Sequence, residues 1–193
     1  MPMPLRALTL AGALLASAGA HATLLNFTAP LGLSGAQEVP PKATPASGSG
    51  SAVYDTDTLL LSVDLSWSGL LATPGAAHIH CCSGPGVNSS VAIDFVPASF
   101  PATTSGTFSH VFDLDAAGSF GGGFLTSFGG NVDAARAAVV AGLRAGQAYF
   151  NIHTSVYPGG EIRGDIVEIP APATLALLGL GVAATLARRR PGA

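Results

Sequence analysis

The segment Ala76-Ala77-His78-Ile79-His80-Cys81-Cys82 contains the residues of this chain that are best suited to chemistry. On a β-strand, His78 and His80 project from one face about 7 Å apart, and Ile79 projects from the other. Two imidazoles in this arrangement can chelate one metal ion, and copper and zinc are among the ions that imidazole suits. A third histidine, His153, lies in another strand-like segment, so three imidazoles converge if the two strands are neighbours. The alternative is that these histidines hydrogen-bond backbone groups or line one end of a β-sandwich.

Cys81 and Cys82 are the only cysteines of the chain, and they are adjacent. Neighbouring Cα atoms lie about 3.8 Å apart across a trans peptide, below the usual disulfide separation of about 4.4–6.8 Å, so a vicinal disulfide forms only with strain. The sequence leaves three states open: a vicinal disulfide, a pair of buried thiols, or thiolate ligands of a soft metal beside the histidines.

Glu161 and Arg163 share one face of a predicted strand. One interpretation is structural: the two form an ion pair, or Arg163 bonds loop carbonyl groups. The other is that Arg163 faces a ligand near the histidine cluster. Both interpretations stay open at the level of the sequence.

The sequence contains no motif of a nucleotide-binding protein or a hydrolase. It has no Gly-x-Ser-x-Gly, no P-loop, no Gly-x-Gly-x-x-Gly after a strand and no His-Glu-x-x-His, so no catalytic residue is assigned. All 11 acidic residues lie between Glu38 and Glu168, where four basic residues oppose them, giving a net charge of −7. This charge is a poor match for a phosphate backbone and argues against a nucleic-acid partner.

Alternation of apolar and polar residues at period two dominates the middle of the chain. Residues 61–67 place their apolar side chains on one face of a strand, and residues 55–58 join this strand to residues 50–54 in a predicted hairpin. Further strands are predicted at residues 108–114, 149–154 and 161–168.

One segment, residues 132–143, is alanine-rich, with Asp133 near its start and Gly146 just past its end. It predicts one short helix in a crossover between strands. Residues 40–50 and 118–130, which are rich in proline, glycine or serine, are predicted loops. Short strands separated by turns predict an all-β fold, an antiparallel sandwich or barrel.

The two ends of the chain have the pattern of sorting signals. Residues 1–22 combine an early Arg6, a short apolar stretch and a small-x-small cleavage site, which predicts a secretory signal peptide. Residues 170–193 contain a Pro-x-Pro motif, an apolar run and three arginines, an order that resembles the PEP-CTERM sorting signal, although Ala171 stands where Glu is usual. The resemblance implies cleavage by an exosortase and release to the envelope or matrix. The alternative is a plain C-terminal transmembrane helix, the only contact with the membrane.

Three blocks in the working part, residues 23–169, resemble the CHRD domain, which is named for chordin and also occurs in microbial proteins. The blocks are residues 33–41, 77–80 and 151–164. The resemblance implies an extracellular β-sandwich of immunoglobulin-like or superoxide-dismutase-like form, without a settled enzymatic activity. Copper/zinc superoxide dismutases use six histidines and an aspartate, whereas four histidines remain here after signal cleavage, so a complete dinuclear site is not expected.

Two functions follow from these observations. The leading prediction is a secreted or cell-surface, non-enzymatic binding or structural module of the bacterial envelope or exopolysaccharide matrix, with a protein or polysaccharide partner there. The competing prediction is a metal-binding redox protein, in which His78, His80 and His153 hold copper or zinc with Cys81 or Cys82 nearby. The second rests on the spacing of the histidines alone.

Overall fold

Nine antiparallel β-strands form one continuous sheet within residues 23–170, the part of the chain that this computed structural model describes. The strands are β1 (Leu24–Thr28), β2 (Leu33–Ser34), β3 (Ser47–Asp55), β4 (Leu60–Ser68), β5 (Pro74–Cys81), β6 (Ser90–Asp94), β7 (Gly106–Asp113), β8 (Ala148–Thr154) and β9 (Ile162–Ile169). Two helices, α1 (Gly122–Ser127) and α2 (Val132–Arg144), lie between β7 and β8. The predicted signal peptide, residues 1–22, and the apolar run and arginines of the predicted C-terminal signal lie outside the described residues.

The strand order is β6-β5-β8-β9-β1-β3-β4-β7, and β2 pairs with both β3 and β9. The two halves of this sheet pack face to face. Phe150 of β8 lies so close to Gly50 of β3 that an added Cβ would stand 2.6 Å from the phenyl ring. Phe95, after β6, stacks on Phe108 of β7 with ring centroids 5.3 Å apart. The predicted all-β sandwich is therefore confirmed.

The period-two pattern accounts for the core. Leu61, Val63, Leu65 and Trp67 of β4 are all buried, as the alternation predicted. The predicted hairpin between β3 and β4 is also confirmed, although β3 begins at Ser47, inside the stretch predicted as a loop.

The predicted crossover helix is confirmed as α2. Asn131 caps it, because its side-chain oxygen accepts a hydrogen bond from Ala134 N at 2.9 Å. The helix turns Ala135, Val139 and Leu143 into the core, and each of these residues is fully buried.

The prediction of a loop throughout residues 118–130 is wrong, because this stretch contains α1. Gly121 N donates to Ala92 O of β6 at 2.9 Å, and a Cβ on Gly121 would collide with Val91 O. The glycine permits close contact with β6 here, so the segment covers this edge of the sheet. Among the described residues, none of the helices is both long enough and apolar enough to cross a membrane.

Candidate functional site

The outer face of β5, β8 and β9 carries polar side chains that are nevertheless buried. On β5, Ala77 and Ile79 point into the core, so His78 and His80 point outward. Loops cover these two histidines, whose exposed fractions are only 9% and 8%. The strand register aligns these residues with polar partners on the two neighbouring strands. The aligned rows are Ala76 with His153, His78 with Asn151 and Arg163, and His80 with Tyr149 and Asp165.

The structure brings the three predicted histidines together. One nitrogen of each of His78, His80 and His153 lies within 4.8 Å of the others. The ring centroids are 5.3 Å apart for His78 and His80, 5.0 Å for His78 and His153, and 5.7 Å for His80 and His153. The three imidazoles therefore surround a single point.

A backbone carbonyl oxygen stands behind two of the three rings and orients them through a hydrogen bond. His153 Nδ1 lies 2.9 Å from Pro158 O, and His80 Nδ1 lies 2.8 Å from Ser89 O. Both Nδ1 atoms therefore carry the proton, which leaves the lone pair on Nε2. His78 Nε2 lies 3.6 Å from a carboxylate oxygen of Asp94, while its Nδ1 faces His153 Nε2 at 3.3 Å. Such outer partners are typical of histidines that bind metal ions.

His80 Nε2 is buried and has no hydrogen-bond partner among the described residues. Leaving a buried polar atom unsatisfied costs about 1–3 kcal/mol, so such atoms are rare in folded proteins. A metal ion at the centre of the cluster would accept this lone pair. The donor set of the cluster therefore fits an imidazole-bound transition metal.

The cluster is held in the neutral form that metals require. Burial, together with the nearby His153 and His80, lowers the pKa of His78 to about 4, against the opposing effect of Asp94. Burial also lowers the pKa of His80 to about 4. The pKa of His153 is lowered by burial as well. Protons therefore do not compete with a metal at neutral pH.

Arg163 supports the cluster from behind and does not contact the imidazoles. Its guanidinium lies 3.5 Å from the centre of the Tyr149 ring, and that ring stacks on His80 with centroids 4.8 Å apart. Arg163 Nε and Nη2 both donate to Asp165 at 2.9 Å, and Nη1 donates to Val87 O at 3.3 Å. Each of its nitrogens is thus engaged by the protein.

Glu161 binds protein groups and is not paired with Arg163 within residues 23–170. Its carboxylate is fully buried and accepts hydrogen bonds from Thr44 Oγ1 at 2.7 Å, Leu71 N at 2.9 Å and Thr154 Oγ1 at 2.6 Å. These donors come from two loops and from the end of β8. Glu161 therefore ties together the segments around the site.

Cys81 and Cys82 form a vicinal disulfide that lies away from the histidines. Cys81 points into the core, and Cys82 Sγ lies 3.4 Å from Ala138 O of α2. The structure therefore places these two sulfurs against a helix and not among the ligands of the cluster.

Three residues near the cluster were not predicted from the sequence as parts of a site: Asp94, Ser89 and Glu38. Glu38 is buried at 4% exposure and accepts a hydrogen bond from Asn151 Nδ2 at 2.6 Å. Burial raises the pKa of Glu38 to about 6, although the hydrogen bond from Asn151 opposes the shift. Two signals in the sequence could have found part of this network: Asn151 alternates with His153 on the same strand face, and Glu38 lies in the first block of the CHRD resemblance.

Comparison with known proteins gives two matches within this chain. A family model described as the CHRD domain matches residues 29–166, and one described as the PEP-CTERM protein-sorting motif matches residues 168–190. No curated protein and no solved structure matches the chain. The first match covers well over half of the sequence and includes all three histidines of the cluster.

Proposed function

The chain belongs to the CHRD domain family and carries a PEP-CTERM sorting motif, and from this premise we propose that it is an exported binding module whose ligand is a transition-metal ion, copper or zinc. The sorting motif implies export and processing by an exosortase at the C-terminal side. The metal is held by His78, His80 and His153. The partner in the envelope or matrix, a protein or a polysaccharide, remains a prediction from that location.

The Nε2 of His80, which is buried and has no hydrogen-bond partner within residues 23–170, carries this proposal. Around it, the ligand nitrogens lie within 4.8 Å of one another. A tetrahedral ion with bonds of about 2.0–2.1 Å holds its ligand nitrogens about 3.4 Å apart. The ligand nitrogens therefore need to approach one another by about 1.4 Å at most to bind the ion.

Copper and zinc both suit a site built of imidazoles. The structure supports binding of either ion, because the ligand set contains neither a thiolate nor a carboxylate that would favour one class. The redox function predicted from the sequence requires copper, since zinc does not change its oxidation state. Which ion is bound decides between a redox and a non-redox role.

The test is metal binding by the purified protein and two histidine variants. We expect one copper or zinc ion per chain, and a higher melting temperature with the ion, because a ligand at 100 times its Kd stabilises by about 2.7 kcal/mol. His80→Ala should abolish both effects. His110→Ala, on β7 and outside the cluster, is the matched control and should bind as the unmodified protein does. Equal binding by both variants, or none by the unmodified protein, would refute the proposal.

A further inference from the structure

The geometry points to a fourth coordination position that the protein leaves open, and we propose that this position takes a small monodentate anion from solution. The inference rests on the proposed function, because the position exists only when a metal ion is bound. Three imidazoles fill three corners of a tetrahedron, and open zinc sites of this kind hold water or another exogenous ligand in the fourth.

Within residues 23–170, the ligand group around this point has three members. The carboxylate of Asp94 lies 3.6 Å from His78 Nε2, whereas His78 Nδ1 is the nitrogen that faces His153. The same carboxylate oxygen accepts a hydrogen bond from Val96 N at 3.0 Å. Asp94 therefore lies beside the other nitrogen of His78 and does not belong to the ligand group.

The other polar groups near the cluster are also engaged elsewhere. Tyr149 stacks flat on His80 with an interplanar angle of 8°, and its hydroxyl oxygen accepts a hydrogen bond from Ser89 N at 3.2 Å. Glu38 is held by Asn151 at 2.6 Å. None of these side chains is positioned as a fourth ligand.

Solvent reaches the cluster from the side of His78 and His153. His153 lines a cleft of about 380 Å³ together with neutral residues, and His78 lines a second cleft of about 490 Å³. His80 and His78 are buried to the same degree, at 8% and 9% exposure, and His153 is the least buried of the three rings. The open position is therefore reached through the cleft beside His153.

Charge determines the kind of ligand that this position favours. Neutral imidazoles leave a divalent ion with its full positive charge. The residues that line the cleft beside His153 include no acidic side chain that would repel an anion and no basic side chain that would bind one without the metal, whereas Asp94 lines the cleft beside His78. The ion itself is thus the recognition element, and a small anionic donor such as azide or acetate is the fitting class of ligand.

A substitution at Ala76 can close the position from within. Ala76 lies on the same strand face as His78, is the cross-strand partner of His153 and lines the same cleft. A glutamate there places a carboxylate on the open side of the ion. Ala76→Gln has nearly the same shape and is a much weaker ligand, so it is the matched control.

The experiment uses the full protein loaded with Co²⁺ as a spectroscopic probe, followed by titration with sodium azide. We expect a saturable shift of the visible absorption bands with the unmodified protein and with Ala76→Gln. Ala76→Glu should weaken azide binding at least about tenfold, a change of about 1.4 kcal/mol.

The possible outcomes separate the two proposals. Cobalt bound with bands that azide does not shift would overturn the open position and leave the metal site standing. No cobalt bound at all would overturn the proposed function and, with it, this inference. The titration of the unmodified protein is informative alone, so it tests the open position even if Ala76→Glu fails to fold.

Discussion

Replacing Glu161 with alanine removes three hydrogen bonds at once. The carboxylate accepts from Thr44 Oγ1, Leu71 N and Thr154 Oγ1, and it is fully buried. One buried donor left without a partner costs about 1–3 kcal/mol. Three such donors together give a range of about 3–9 kcal/mol. Because the two hydroxyls can rotate towards other acceptors, we expect a value in the lower part of this range, a loss of about 4 kcal/mol of unfolding free energy for Glu161→Ala.

Urea denaturation measures this loss directly. Trp67 is the single tryptophan and is buried at 4% exposure, so its fluorescence reports unfolding. With a urea dependence of about 2 kcal/mol per molar, the midpoint should fall by about 2 M. The matched control is Glu168→Ala, which removes a partly exposed carboxylate paired with Arg144 at 3.3 Å and should cost less than about 1 kcal/mol.

Two results would refute this reasoning. One is a midpoint for Glu161→Ala close to that of the Glu168→Ala control, which would mean that the three hydrogen bonds contribute little. The other is a loss of metal affinity at unchanged stability, which would make Glu161 a ligand-facing residue after all.

One further prediction concerns helix packing, and two concern pH. Gly142→Ala should destabilise the protein by about 1–2 kcal/mol, because the new Cβ would collide with the disulfide sulfurs. In the control Gly123→Ala, the new Cβ meets no atom within 4 Å, so this variant should be neutral or stabilising in thermal unfolding. In the metal-free protein, the pKa values of His78 and His80 are lowered to about 4, so between pH 6.5 and pH 4 these two side chains take up protons in the unfolded chain and not in the folded one. Their contribution to stability should therefore fall as the pH drops through that window and level off below it, by an amount on the order of 3 kcal/mol per histidine, in urea titrations at each pH. Burial raises the pKa of Glu38 to about 6, so ionisation of this carboxyl destabilises the unmodified protein as the pH rises. The unfolding free energy of Glu38→Gln, compared with that of the unmodified protein, should therefore increase by about 2 kcal/mol from pH 4 to pH 7. A difference that stays constant with pH would contradict this.

The fold could be predicted where one local pattern decides the structure. Residues 61–67 alternate so regularly that β4 and its buried face follow from the sequence. Helix α2 follows from its alanine-rich segment, with Asn131 as the capping residue in the structure. Helix α1 could not be predicted in this way, because its glycines resemble a loop, and only the contact of Gly121 with β6 shows that they serve close packing.

The candidate site, like the fold, could be predicted only where a local sequence pattern decides the structure. His78 and His80 lie two residues apart, so the strand geometry alone puts them on one face. The groups around the rings were not predictable, because Ser89 and Asp94 reach the cluster from a loop and a strand whose paths depend on the whole fold. A local pattern identifies ligands more readily than the groups that orient them.

The pairing of the first and last strands of the domain governs how the site is displayed. Asn26 lies opposite Ile169, so the chain enters and leaves the domain at the same end of the sheet. Arg163, in the same cross-strand row as His78, is six residues before Ile169, a distance of about 20 Å along β9. A domain attached to a surface through its C-terminal side would therefore hold its three imidazoles about 20 Å from the point of attachment. At that distance the imidazoles are accessible to ions that diffuse past the surface.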